Sequence, residues 1–459
     1  MEGIPTKMNQ MGSAGKKAVD KIKNATTDMG EGIKNLFSKK NPIENVKDLT
    51  EGQIQNQKME AQVLFFIFLF VGILFLVGLI FISKTFRVYT SLKRMEVYKS
   101  SELNRQSIVD ITDGPINDFY VASAYRPYVC YNHKYDYCSL EVFRDVLMAG
   151  PRFIELEIFN DSFSTDVEPV VATGSEEGEW QFSLNSLPLT EVLKVIVDTV
   201  FNQQRVKKLY KDPFFIYLNL KVNRNLICLE KIAKYIYEIL GQYLLDVNYS
   251  HNSQKSNTEF SNTPITNLQK RITIFAKSGF EGSPLEEIVN YSNVSDFTLD
   301  NNPHQHRLLY MKNIDIIEKE QDLVETSAFE LDVKKDKLKE YNKCGMSIIS
   351  PEGDDADSFL SNISPRNIDP TKSLESGCQF IMMNYQMIDT HMSNYMYIFK
   401  DSSFILKNID LTDPETDPES TICNKVFSSI KVERSDHTNK EIVYAYTTPN
   451  IEKKSLSNS

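Results

Sequence analysis

The chain has 459 residues, enough for one large domain or two medium ones, and its 41% hydrophobic content supports a full core. The net charge of −11 is uneven: residues 1–60 carry net +2 and residues 84–103 net +3, which leaves −16 for residues 104–459. So acidic a body argues against a nucleic-acid partner, because phosphate neutralisation needs clustered Lys and Arg. The six cysteines, at 130, 138, 228, 344, 378 and 423, form no CxxC pair and no close Cys/His cluster. That pattern argues against zinc and for free, mostly buried thiols; in an oxidising lumen Cys130 and Cys138 would be the pair to bridge.

Residues 1–60 form a polar, basic arm. Val19, Ile22, Met29, Ile33 and Leu36 recur at helical steps among lysines, as in a basic amphipathic helix lying on an anionic membrane; Gly30 and Gly32 interrupt the stripe, and the alternative is a mobile tail. Residues 61–83 read as a transmembrane helix. Val63–Ile82 is twenty residues without a charge, and at about 1.5 Å per residue it spans roughly 30 Å, one hydrocarbon core. The lipid bilayer is therefore the first expected partner and a single-pass membrane protein the expected class. Lys84, Arg87, Lys93, Arg94 and Lys99 flank its C-terminal side and only Lys47 and Lys58 its near N-terminal side, which favours a cytoplasmic body; eight lysines in residues 1–40 weigh the other way. Residues 84–114 read as a juxtamembrane linker.

From about residue 115, strands and helices alternate. Strands are predicted at Phe119–Ser123, Phe153–Phe159, Pro169–Ala172, Phe214–Leu220 and Ile272–Phe275, with helices at Leu140–Ala149, Leu189–Phe201 and Leu229–Leu240. This order implies a parallel sheet. On pattern alone a doubly wound sheet and a closed α/β barrel fit nearly equally well.

Three segments resemble a known family. Pro115–Tyr128 (PINDFYVASAYRPY), Arg152–Phe159 (RFIELEIF) and Gly377–Gln386 (GCQFIMMNYQ) are similar to parts of the X and Y halves of the phosphoinositide-specific phospholipase C barrel. The resemblance implies a TIM-type (β/α)8 barrel preceded by one transmembrane helix. It divides the chain into an X half at 115–278, a linker at 279–324, a Y half at 325–411 and a tail at 412–459 too short for the C2 domain typical of eukaryotic members. Within the Y half, Glu325–Phe329, Ser347–Ser358 and Phe404–Lys407 are the other matching segments, the last as closing strand.

The resemblance also implies a degenerate site. Tyr125 and Thr173 stand where the family carries its two catalytic histidines. A phenol titrates near pH 10 and a threonine hydroxyl not at all, so neither trades a proton as imidazole does. Of the four family calcium ligands, Glu155 and Glu157 match, whereas Arg126 and Asn219 replace an asparagine and a glutamate. A guanidinium cannot ligate a cation, so Arg126 is expected either to pair with Glu155 or Glu157 or, with them, to reach solvent. Of the substrate contacts Lys277 remains, while Phe275, Ile348 and Ser350 stand in place of a lysine, an arginine and a tyrosine. His133 is the local histidine that could substitute. The implied function is a membrane-anchored, catalytically inactive phospholipase C-like protein with a binding or scaffold role and an unidentified protein partner, needing no cofactor. The alternatives are a divergent calcium-dependent phosphoinositide phosphodiesterase and a non-cleaving sensor of phosphoinositide headgroups.

Overall fold

The computed structural model describes residues 51–100, 105–160, 167–175, 181–250, 263–293, 307–312, 338–339, 341–343, 345–351 and 366–407. The basic stripe of the arm, the Glu325–Phe329 segment and the tail from 412 lie outside them. The chain divides into two units, Met1–Ile82 and Ser83–Ser459.

In the first unit the described element is the beginning of helix α1 (Glu51–Ser100). Its apolar side chains are exposed, from Val63 at 54% to Ile82 at 64%. Among the described residues this helix is long and apolar enough to cross a membrane, with mean hydropathy 3.2 in its most apolar window and none of that window buried.

The second unit holds strands β1 (Phe119–Ala124), β2 (Phe153–Asn160), β3 (Pro169–Val171), β4 (Leu187–Pro188), β5 (Phe214–Lys221), β6 (Ile272–Ala276), β7 (Tyr291–Asn293), β8 (Arg307–Lys312), β9 (Ser347–Ser350), β10 (Phe380–Met383) and β11 (Phe404–Leu406). Among the described residues, eight of them pair in parallel around a closed ring, β1-β2-β5-β6-β7-β8-β9-β10 and back to β1. This is a TIM-type barrel. β3 and β4 extend β2 as an antiparallel flap. Helices α2 (Leu140–Met148), α3 (Leu189–Val200), α4 (Leu226–Leu240), α5 (Thr371–Glu375) and α6 (Thr390–Ile398) lie along the chain between them.

Three expectations need correction. The stretch 279–324 is not only a linker: it supplies β7 and β8, two staves of the ring. β7 has three residues, and YSN carries no apolar alternation to read; β8 offers only the four-residue apolar run Leu308–Met311. Phe404–Lys407 does not close the barrel; β11 runs antiparallel beside the start of β1, and β10 closes the ring instead. The juxtamembrane segment is helical to Ser100, not a linker throughout. Helix α4 also begins three residues early, because the Asn225 side chain accepts from the Cys228 N–H at 3.1 Å and caps it.

Strand alternation sorts the barrel into two cores. From β2, Ile154, Leu156 and Ile158 face the outer helices, whereas Phe153 faces inward. From β5, Phe214, Ile216 and Leu218 face outward and Phe215 and Tyr217 inward. Inside, Phe153 stacks on Phe380 at 4.4 Å between ring centres, and Phe275 lies within 6.0 Å of Phe153, Phe215 and Phe380. The lower end is closed by residues 105–118, with Asp212 accepting from the Ser107 hydroxyl at 2.5 Å and the Ile108 N–H at 3.0 Å. Arg152 lies 4.0 Å from the same carboxylate, and both are fully buried. That separation is long, and burial outweighs the attraction: it lowers Arg152 to about 10 and pushes the Asp212 carboxyl up to about 6.

Two outcomes follow. Phe380→Ala should destabilise the barrel by about 3–5 kcal/mol, read as a lower urea midpoint at unchanged slope. Because folded Asp212 holds its proton more tightly than an ordinary carboxyl, its contribution to stability is complete below about pH 4 and is lost as pH rises through about 6. Asp212→Asn should flatten that fall, whose slope reaches at most ~1.4 kcal/mol per pH unit, in urea titrations across the window.

Candidate functional site

The inward positions after the aromatic layer turn polar at the C-terminal ends of the strands, the end where TIM barrels carry their sites. Glu155 and Glu157 follow Phe153 on the inner face of β2, and Asn219 follows Tyr217 on β5, in register with Glu157. All three are buried. Tyr125 and Arg126 come from the first residues after β1, where the chain turns into loop 125–138. Arg126 has φ of +40°, a region that L side chains seldom adopt.

Arg126 Nη2 donates to Glu157 Oε1 at 2.7 Å, with both side chains buried (4% and 1% exposed). The other carboxylate oxygen of Glu157 accepts from the Gly174 N–H at 3.1 Å. Glu155 Oε1 accepts from the Asn219 amide at 2.8 Å. The Arg126 guanidinium also sits 4.8 Å from the Tyr125 ring centre. Arg126 therefore bonds to Glu157, while Glu155 is taken by Asn219. These residues do not fit calcium, which takes six to eight oxygens: the two oxygens of Glu157 are engaged, and a fixed guanidinium stands among the donors. Among the described residues no group of three or more His, Cys, Asp or Glu could hold a metal.

Tyr125 is 1% exposed and its ring lies 5.1 Å from the imidazole of His133. Burial holds His133 well below the usual histidine range, and the nearby Arg126 charge lowers it further. The Asn384 side chain raises its proton affinity slightly, yet neither ring nitrogen makes a hydrogen bond of ordinary geometry. Thr173 donates its hydroxyl to the His133 carbonyl at 2.6 Å, so it ties down the loop. Phe275 and Ile348 are fully buried parts of the inner apolar core, and Ser350 is buried at the end of β9. Lys277 is half-buried just beyond β6.

The structure thus gathers Tyr125, Arg126, Glu155, Glu157, Thr173 and Asn219 around one end of the barrel and leaves Phe275 and Ile348 in the core. Sequence reasoning missed three supports. Tyr128 donates to the Ala172 carbonyl at 2.9 Å; Gly174 binds Glu157; and the Gln386 amide donates to the Arg126 carbonyl at 3.2 Å. The Asn-Tyr-Gln run of Gly377–Gln386 carried the last of these as a signal.

Residues 112–278 match the family described as phosphatidylinositol-specific phospholipase C, X domain. Among solved structures, the chain is similar to PLC21 of L. pealei, at 18% identity and TM-score 0.52, covering 68% of this chain and 39% of that one. It is likewise similar to PLC21 of S. officinalis, at 18% identity and TM-score 0.50, covering 66% and 38%. The chain therefore spans less than two thirds of the length of either. No curated protein is a significant match to the sequence. Residues 112–278 thus match the X domain of the phosphatidylinositol-specific phospholipase C family, and the barrel unit shares the fold of these solved structures.

If the Arg126–Glu157 pair holds this end together, Arg126→Ala should cost about 3–5 kcal/mol, since it strands a buried carboxylate. Adding Glu157→Ala should recover most of that loss. Thermal melts with calcium and with chelator should coincide for the unaltered protein.

Proposed function

We propose that this is a single-pass, membrane-anchored phospholipase C-like protein whose barrel does not cleave phosphodiesters and acts in binding or as a scaffold, with the barrel on the cytoplasmic side. The observation that carries the reading is the 2.7 Å Arg126–Glu157 pair, which puts a side-chain cation where the family resemblance would place calcium. Cleaving the glycerol–phosphate bond needs a base for the inositol hydroxyl and a cation on the developing phosphorane charge. Tyr125 supplies no base near neutrality, and Thr173 is bonded to a backbone carbonyl. General acid–base roles are commonly worth about 10²–10⁴ in rate, so losing two of them together with the metal leaves little catalysis.

One observation favours a second reading. His133 brings an imidazole against Tyr125, so a divergent phosphodiesterase would use His133 as its base. The half-buried Lys277 is likewise the residue by which a non-cleaving phosphoinositide sensor would hold a headgroup.

Full-length protein in mixed micelles of phosphatidylinositol and its phosphates should release no inositol phosphate above a protein-free control, with or without calcium. Release that disappears in His133→Gln would establish the second reading. Tyr125→His, Arg126→Asn, Thr173→His and Asn219→Glu introduced together should create calcium-dependent release if the inferred correspondences are right. Equal pelleting with liposomes that contain or lack phosphoinositides would end the sensor reading.

A further inference from the structure

Residues 83–100, the part of α1 that belongs to the barrel unit, present a stripe of Arg87, Ser91, Met95 and Tyr98 to the barrel, at helical steps of four, four and three. The opposite face, with Tyr89, Lys93 and Glu96, is exposed. The stripe lands on loop 125–138. Arg87 makes two bonds to Asp136, Nε to Oδ1 at 3.2 Å and Nη2 to Oδ2 at 3.1 Å. The same carboxylate accepts from the loop's own N–H groups at Asn132 and Tyr137, at 3.0 and 2.9 Å, so Asp136 is the knot of the loop. Ser91 donates to the Cys130 carbonyl at 2.6 Å, and the Arg94 guanidinium lies 4.0 Å over the Tyr131 ring.

A second line of contact runs to the other support of the site. Tyr98 is buried and donates to the Tyr385 carbonyl at 2.7 Å, with the two rings 5.6 Å apart. The next residue, Gln386, bonds to the carbonyl of Arg126. The helix therefore grips both chain segments that fix Arg126, from the loop side at Cys130–Asp136 and from the β10 side at Tyr385. Arg126 needs holding from both sides, because its positive φ is disfavoured for any residue with a Cβ.

We infer that residues 83–100 are a strap that positions Arg126: they keep loop 125–138 in the form that brings the guanidinium to Glu157, so that movement of this helix changes the site. Arg87, Ser91 and Tyr98 are positioning residues, and Asp136 is the anchor they act through. The inference concerns what shapes the site and stands whether or not the site reacts.

Cys130 gives a direct readout, since its free thiol is 1% exposed beneath the strap. The full chain in nanodiscs would be treated with a maleimide, and labelling at Cys130 and at Cys228 followed by mass spectrometry, with hydrogen exchange of the peptide carrying Arg126. Arg87 is one-third exposed while Asp136 is buried, so breaking the pair falls between the surface and buried cases. Arg87→Glu and Asp136→Arg should each speed Cys130 labelling about tenfold and raise exchange around Arg126, with Cys228 unchanged. Arg87→Lys, which keeps the charge beside Asp136, should label nearly as slowly as the unaltered protein. Ser91→Ala, a milder change, should give smaller rises at Cys130 and around Arg126, with Cys228 unchanged. Unchanged Cys130 labelling in every variant would overturn the inference. So would a rise at Cys130 with no change in exchange around Arg126 in Arg87→Glu, or equal rises at Cys130 and Cys228 in that variant.

Discussion

The upper end of this barrel depends on one buried ion pair. Arg126 and Glu157 meet where the β1 loop crosses the inner face of β2, away from solvent. Neither could stay charged there alone, because an isolated buried charge costs several kcal/mol. Each is therefore required by the other, and their neighbours complete the set: Gly174 takes the second oxygen of Glu157, and Gln386 takes the Arg126 carbonyl. The pair also makes the unusual backbone of Arg126 tolerable, since the charge-assisted bond offsets a φ that would otherwise be unfavourable.

Below that pair the barrel is an aromatic solid. Phe153, Phe215, Phe275 and Phe380 pack ring to ring, and Tyr217 stacks on Tyr310 at 5.3 Å. Tyr125 continues this packing upward against His133. Apolar packing thus reaches the level at which an enzyme of this fold would hold its substrate, and Phe275, where a phosphate-binding lysine would stand by resemblance, is wholly within it. On the proposed reading the polar residues at the top have a sufficient role without a reaction, as the fasteners of a loop.

Much of the barrel was legible in the sequence because its main strands show either an apolar run, as in Phe214–Leu218, or apolar alternation, as in Phe153–Asn160. The two staves that escaped, β7 and β8, give weaker signals: Tyr291–Asn293 is three residues long, and in Arg307–Lys312 the apolar run is only the four residues Leu308–Met311. A closed ring holds such strands by backbone pairing on both sides, so they need little apolar signal of their own. At the site, residue types could be read but not partners. The alternation of β2 put Glu155 and Glu157 on one face, yet only the fold shows that Asn219 takes the first and Arg126 the second. The tie between Thr173 and the His133 carbonyl joins residues forty positions apart and involves a backbone group, which no side-chain pattern encodes.

The helix after the apolar stretch is where sequence and structure differ most usefully. Its basic residues look like a topology signal, and in a bare juxtamembrane segment that would be their whole role. Here Arg87 and Arg94 have specific partners, and Met95 and Tyr98 are buried with the outer core. A stripe at Val88, Leu92 and Met95 was present in the sequence at steps of four and three, the spacing of a helix that packs. Charge and packing make separate demands on the same residues, since one face can dock while the other stays in water. A helix docked in this way belongs to the barrel's own fold, and the loop it grips inherits its position from the chain that precedes the barrel.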